Sequence, residues 1–191
     1  MDEPVSRYYD KQLAREVVKV PPGEYFATQN DVALLTVLGS CVSACLWDPQ
    51  RRLGGMNHFM LPGAGDSGRL GIYAMEVLIN RMLKGGAERA RLVAKVFGGA
   101  NVLDGMDTLN IGSRNAAFVR EFLAEERIPV VAHDLEDLYP RKVAFFPATG
   151  RVLVKRLAAL RDDKLQRSER DYLARLRRAA AGEIEIFRRR G

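Results

Sequence analysis

Two cysteines and two histidines in 191 residues leave little material for two common kinds of site. A disulfide framework needs more cysteines and a secretory context. Cys41 and Cys45 have three residues between them, so they are not a CxxC redox pair. A structural zinc site would need four ligands from the same short supply. No apolar run comes near the ~20 residues that span a bilayer. The start, Met1-Asp2-Glu3-Pro4, is acidic and lacks the apolar stretch of a signal peptide. These absences predict a cytoplasmic protein with no metal and no membrane insertion. Gly98-Gly99 stands without the rest of a dinucleotide or P-loop fingerprint, which argues against nucleotide binding. There are no internal repeats.

What is present suits one globular domain with an appendage. The hydrophobic share is 47% and the charged share 28%, both ordinary, and the length can bury a core unaided. The net charge of +6 is unevenly spread. From Arg151 onward there are 13 basic and 6 acidic residues, whereas the first 150 residues hold 17 and 18. The body is near neutral and the tail basic, so the high pI does not support nucleic-acid binding by the whole protein. The tail alone keeps open a contact with an acidic partner.

Along the chain, residues 1–16 read as a loosely held N-terminal arm. Strands follow at 17–20, 25–28 and 32–38, the last apolar enough to be buried on both faces. Gly39-Ser40 breaks that run, Cys41–Trp47 resumes it, and Met56–Leu61 returns after a turn at Asp48–Arg52. A helix over 71–84 places Ile72, Met75, Val77, Leu78, Ile79 and Met82 on one stripe and stops at Gly85-Gly86. After a strand at 91–97, residues 102–112 read as a loop, and Ser113 caps a helix that gathers Ala117, Phe118, Phe122 and Leu123. A strand at 128–133 and a hairpin at 141–157 close the body. Hairpins at both ends require antiparallel pairing. The fold class is therefore α/β with a mixed or antiparallel sheet, not a doubly wound one. Residues 159–191 read as a basic helical extension with a weak stripe of Tyr172, Leu173 and Leu176. It is expected to lie as a solvated helix packed lightly on the body.

The chemistry concentrates around one hairpin. With the turn centred near Gln50-Arg51, Cys41 falls opposite Met60 and His58 opposite Ser43. Strand parity then puts Cys41, Ser43, Cys45, Met56, His58 and Met60 on one face. Diagonal neighbours in an antiparallel pair lie ~7–8 Å apart, a gap that a thiol and an imidazole largely cover. A nearby imidazolium lowers a thiol's pKa and makes it a nucleophile. The bend at Gly39-Ser40 can offer backbone N–H groups to an oxyanion. Gly54 and Gly55 before His58 are expected to leave room for a substrate chain. On residue type alone, Cys41 is equally a small buried hydrophobe. Cys45, deeper in the apolar strand, reads as structural, and His133 as a surface histidine. Asn57 and Asn101 are candidates to orient an imidazole or a substrate amide.

Several ordered motifs carry a resemblance. Leu38-Gly39-Ser40-Cys41-Val42, Trp47-Asp48-Pro49 and Gly55-Met56-Asn57-His58-Phe59-Met60-Leu61-Pro62 resemble the CheD family of chemoreceptor glutamine deamidases. So do Val20-Pro21-Pro22-Gly23-Glu24-Tyr25, Lys95-Val96-Phe97-Gly98-Gly99-Ala100, Ile111-Gly112-Ser113-Arg114-Asn115, Ile128-Pro129-Val130-Val131-Ala132 and the closing Arg141-Lys142-Val143 with Thr149-Gly150 and Val152–Lys155. The resemblance covers roughly residues 17–158, the expected deamidase domain, and does not reach the extension. It implies conversion of glutamines of methyl-accepting chemoreceptors to glutamate, in some members with hydrolysis of receptor methyl esters. It also implies a three-layer arrangement around a β-sandwich core, like that of deamidating toxins, and a CheC-type phosphatase as a further partner. Cys41 matches the family nucleophile and His58 the base. Gly39, Ser40 and Asn57 form the candidate oxyanion and substrate loop, and no cofactor is implied. The third catalytic member is a threonine six residues before the cysteine. Here Leu35 holds that slot and Thr36 is the candidate beside it, which by strand parity requires a bulge. Where the family has a Gly-Gly stretch before Arg-Lys-Val, this chain has Asp137-Leu138-Tyr139-Pro140. The rival reading is a non-catalytic adaptor that docks on receptors or a phosphatase with Cys41 inert. A third makes the Arg-rich tail a nucleic-acid contact.

Overall fold

The computed structural model describes residues 6–63, 67–102, 110–158 and 163–181. Its ten strands are β1 (Arg7–Asp10), β2 (Arg15–Lys19), β3 (Tyr25–Thr28), β4 (Ala33–Leu38), β5 (Val42–Asp48), β6 (Leu53–Asn57), β7 (Val93–Gly98), β8 (Val130–Leu135), β9 (Arg141–Phe146) and β10 (Arg151–Arg156). The helices are α1 (Ser67–Lys84), α2 (Ile111–Glu125) and α3 (Asp163–Ala181). The strands form two five-stranded sheets, ordered β1-β2-β4-β9-β10 and β3-β6-β5-β7-β8. Each is mixed: β2 and β4 are parallel in the first, β7 and β8 in the second, and the other pairs are antiparallel. The expected α/β class with a sandwich-like core and flanking helices is the one observed.

Burial explains the layers. Strand β5 alternates its side chains between two cores, as a period of two requires. Val42, Ala44 and Leu46 face α1 and α2, where Met75, Leu78, Met82, Val119 and Leu123 meet them. Cys41 and Cys45 face the space between the sheets with Met56, Met60, Leu34, Leu38 and Phe145. A third, smaller cluster of Val17, Ala33, Leu35, Ala144 and Phe146 covers the far face of the first sheet.

The β5–β6 hairpin has the register that the turn position predicts: Cys45 pairs with Met56 and Asp48 with Leu53, and an isolated bridge joins Val42 to Phe59. Other expectations need correcting. The described part of the N-terminal arm is not loose, because β1 pairs along its length with β2. Ile72 is exposed, so the buried stripe of α1 runs through Met75, Leu78, Ile79 and Met82. In α2 the cap is Asn110 rather than Ser113. The buried face there is Asn115, Ala116, Val119, Phe122 and Leu123, with Ala117 exposed. The acidic start, most of the loop expected at 102–112, and the end of the tail lie outside the described residues. The four-residue stretch that replaces Gly-Gly opens with Asp137 at φ 72, preceded by Glu136 at φ 67. Two non-glycine residues thus hold the left-handed backbone that favours glycine.

Asp48 fixes the hairpin turn. Its carboxylate accepts from the backbone N–H groups of Gln50, Arg51 and Glu88 and from the Arg91 guanidinium. Burial alone would raise its pKa. The hydrogen bonds from Arg91 and the two backbone amides of Glu88 and Arg51 outweigh that and hold it at about 2. Removing one partner of such a pair leaves the other uncompensated. Asp48→Ala should therefore lower the unfolding free energy at pH 7 by about 3 kcal/mol, measured by chemical denaturation. The carboxylate's contribution is complete above the ordinary value of 3.8 and is lost as pH falls through about 2, so the gap should narrow only in that window.

Candidate active site

Residues 39–41, between β4 and β5, form a loop whose two sides are used differently. The carbonyls point into the protein and each has a donor. Ala100 N–H donates to Gly39 O at 2.9 Å and Gly99 N–H to Cys41 O at 2.8 Å. The Asn115 side chain donates to Ser40 O at 2.7 Å, while its own oxygen accepts from Leu61 N–H at 2.8 Å. Gly98 is required behind the loop: its φ is +107°, and a Cβ there would meet Cys41 O at 2.2 Å. With the carbonyls fixed, the three amides converge on the other side. They meet one carboxylate, that of Glu169 in α3. Gly39 N–H donates at 2.9 Å, Ser40 N–H at 2.9 Å, Cys41 N–H at 3.2 Å and the Ser40 hydroxyl at 2.7 Å. Consecutive N–H groups so arranged are an anion-binding nest.

His58 follows β6 and is buried. Its Nδ1 lies 2.8 Å from Thr36 Oγ1 and 3.2 Å from Val20 O. The Thr36 hydroxyl donates to the same Val20 carbonyl at 2.9 Å. That carbonyl can only accept, and Thr36 has spent its proton on it. Nδ1 therefore carries the imidazole proton and Nε2 the lone pair. Nε2 is buried with no protein partner. Burial lowers the His58 pKa to about 4, against the raising effects of the Val20 hydrogen bond and the Glu169 charge. The Cys41 thiol is pushed well up, first by burial, then by the charge of Glu169 and its hydrogen bond with the thiol. Cys45 is pushed up to about 12, chiefly by burial.

The structure thus gathers the amides of Gly39, Ser40 and Cys41 on one carboxylate and joins Thr36 to His58, while His58 Nε2 makes no hydrogen bond to the Cys41 thiol. Thr36 needs no bulge. The pairing of β4 with β9 is continuous from Leu34 to Leu38. Parity puts Thr36 with Leu34 and Leu38 on the inner face, while Leu35 joins the outer cluster. Asn57 is not in the site. Its oxygen accepts from Ala44 N–H and its nitrogen donates to Ala74 O and Met75 Sδ, which commits it to the α1 interface. Asn101 is exposed and His133 is exposed. Gly54 and Gly55 leave no room for a substrate chain, because Phe145, Leu78 and Ala27 already crowd the places a Cβ would take. Two residues of the site receive no role from the sequence, Asn115, which stands in a family motif, and Glu169, which stands in none. Each left one signal, a polar residue on the buried stripe of an amphipathic helix. Glu169 stands three, four and seven residues before Tyr172, Leu173 and Leu176. The extension is accordingly more than lightly packed: Tyr172 and Leu173 join the inter-sheet core. Among the described residues, no group of three or more His, Cys, Asp and Glu side chains is placed to hold a metal ion. No helix among them is long and apolar enough to cross a membrane.

The sequence matches the family model described as CheD chemotactic sensory transduction over residues 60–156. A protein of Thiobacillus denitrificans is 55% identical over 189 residues, covering 94% of each chain. One of Methylobacillus flagellatus is 53% identical over 190 residues, again 94% of each. One of Shewanella oneidensis is 48% identical over 196 residues, covering 98% of this chain and 95% of that protein. The first two bear the name probable chemoreceptor glutamine deamidase CheD and the third probable chemoreceptor glutamine deamidase CheD 1. This chain belongs to the CheD family. With 98% of it covered, the similarity to the Shewanella protein runs through α3, beyond the 17–158 that motifs alone delimit.

The imidazole gives a direct check. In a titration followed by NMR, His58 should stay neutral well below the ordinary value of 6.5, with a midpoint near 4 and the proton on Nδ1 at neutral pH. Between those values the unfolded chain binds the extra proton, so this group should cost stability progressively as pH falls from about 6.5 toward 4.

Proposed function

We propose that this protein is a chemoreceptor glutamine deamidase that works through a Cys41 nucleophile and a His58 base. The observation that carries the reading is the nest at Gly39, Ser40 and Cys41. It holds an acyl-type oxygen pair beside the thiol. The same donors suit the oxyanion that forms when a thiolate attacks a carboxamide. The relatives' names supply the reaction and the substrate, glutamines of chemoreceptors; in this reading the receptors are methyl-accepting and the compartment is the cytoplasm. A CheC-type phosphatase is kept as a further partner.

In this reading, His58 Nε2 takes the thiol proton as Sγ attacks the glutamine Cδ. The carbonyl oxygen becomes anionic and is met by the nest. The imidazolium returns the proton to the nitrogen, the C–N bond breaks and ammonia leaves. A water, deprotonated by His58, then hydrolyses the thioester and leaves glutamate. Thr36 and the Val20 carbonyl hold the proton on Nδ1, so the lone pair stays on the working nitrogen. The high thiol pKa would suit an inert adaptor, yet one of its causes is Glu169, a residue of α3 rather than of the body.

Receptor cytoplasmic fragments incubated with the protein should gain about one mass unit per converted glutamine. Cys41→Ala and His58→Ala should abolish the gain. Thr36→Val should slow it by ten- to a hundredfold, on the order of one charge-assisted hydrogen bond lost in the transition state. Equal mass gain with wild type and Cys41→Ala would remove Cys41 as nucleophile.

A further inference from the structure

Glu169 is the chemical product of glutamine deamidation, a γ-carboxylate, and it sits where that product would form. Its two oxygens accept from all three amides of the nest and from the Ser40 hydroxyl, and its residue is 1% exposed. The side chain enters from a helix. Tyr172 and Leu173, on the same stripe, seal the inter-sheet core beside it, and the Arg177 side chain donates to Pro62 O. The first turns of α3 roof a cavity of about 350 Å³ lined by Val20, Pro22, Thr36, His58, Leu165 and Glu169. His58, whose Nε2 is buried and without a protein partner, lines the same cavity. Gly39 records how closely the helix is seated: a Cβ there would meet Glu169 Oε2 at 2.7 Å.

We propose that α3 is an internal product mimic, a helix that lays Glu169 in the acyl site, so that the chain occupies its own active site until a substrate helix displaces it. This rests on the deamidase reading of the same site. It adds two things: the site accepts a γ-carboxyl group carried on a helix, and that helix is supplied in cis. The electrostatics agree, since the Glu169 carboxylate and its hydrogen bond are among the causes that hold the Cys41 thiol protonated. A consequence is a second, intramolecular activity. Glu169→Gln places a carboxamide against the nucleophile. Sγ attacks its Cδ, the C–N bond breaks, ammonia departs with a proton, and water cleaves the thioester. The net change is gain of water and loss of ammonia, which restores glutamate at position 169.

Three measurements on the full chain test this. Alkylation of Cys41 by iodoacetamide, read by mass spectrometry, needs no catalysis. Glu169→Ala and Leu173→Ala, each checked for folding by circular dichroism, should both raise its rate at least about tenfold, the equivalent of one charge-assisted hydrogen bond. Unchanged rates in both would overturn the occlusion. Receptor-fragment deamidation should rise in the same two variants. A rate equal to wild type would overturn self-inhibition while leaving the deamidase reading standing. No deamidation by wild type or by either variant, with faster alkylation in the variants, would overturn the deamidase reading and leave the occlusion standing, whereas loss in the variants alone would overturn self-inhibition. Freshly purified Glu169→Gln should gain about one mass unit at residue 169, at a rate independent of protein concentration, and Cys41→Ala/Glu169→Gln should not. A carboxamide that persists at position 169, in a Glu169→Gln variant that still converts receptor glutamines, would show that α3 is not held in the acyl site.

Discussion

Everything in the site depends on where three peptide units face. A buried backbone carbonyl must find a donor, and those of Gly39, Ser40 and Cys41 find theirs behind the loop, from Ala100, Asn115 and Gly99. Once the Gly39 and Ser40 carbonyls are spent inward, the planar peptide turns the amides that share their units, those of Ser40 and Cys41, outward, and the Gly39 amide joins them on Glu169. Three parallel N–H groups cannot satisfy one another, so the loop is built to receive a group with lone pairs. The supports come from distant parts of the chain. Gly98 and Gly99 end β7, and Asn115 lies one turn into α2, held in turn by Leu61 N–H. A change at any of these would rotate the nest rather than remove an atom from it.

The imidazole of His58 is set from the other sheet. Thr36 and Val20 belong to or adjoin strands of the first sheet, and His58 follows β6 of the second. The imidazole therefore spans the sandwich, with its tautomer decided across the inter-sheet core. Burial keeps it neutral, the form that the proposed general base needs before the reaction. The same burial keeps the thiol protonated. Both groups are therefore uncharged in the resting protein.

How much of this the sequence discloses follows from how each feature is encoded. The hairpin is legible because a turn position fixes register, and register with a period of two fixes faces. That alone puts Cys41 and His58 on one side, and the pairs Val42↔Phe59 and Cys45↔Met56 agree with it. Counting along the family's spacing gives Thr36 the wrong face. The burial of its neighbours, with Leu34 and Leu38 inward and Leu35 outward, gives its face without counting. Asn57 and the Gly54-Gly55 pair invite a reading by local chemistry, amide for orientation and glycine for space. Packing from α1 and β9, distant in sequence, claims both. Strand β1 escapes a sequence reading because its two tyrosines and two charged ends carry no clean alternation, and the strand is made by its partner.

The extension shows why composition and position give different answers. Its arginines draw attention to polyanions, but most are exposed and spread around the helix. The residue that matters is an acid on the apolar stripe, where a solvated helix would place a hydrophobe. An uncompensated buried carboxylate is costly, so its presence there requires donors on the opposing surface, and the nest supplies them. Beyond the nest, Tyr172 and Leu173 anchor the helix in the inter-sheet core with Leu176 packed against it, and Gln166 and Arg177 donate to the carbonyls of Val102 and Pro62. These contacts all lie on one face of a single terminal element, the kind that opens locally before the body does. A partner helix able to offer the same carboxyl-type oxygen and better apolar contacts can then take its place without unfolding the body. Tight binding of the acid and easy release of the helix are compatible because they rest on different atoms.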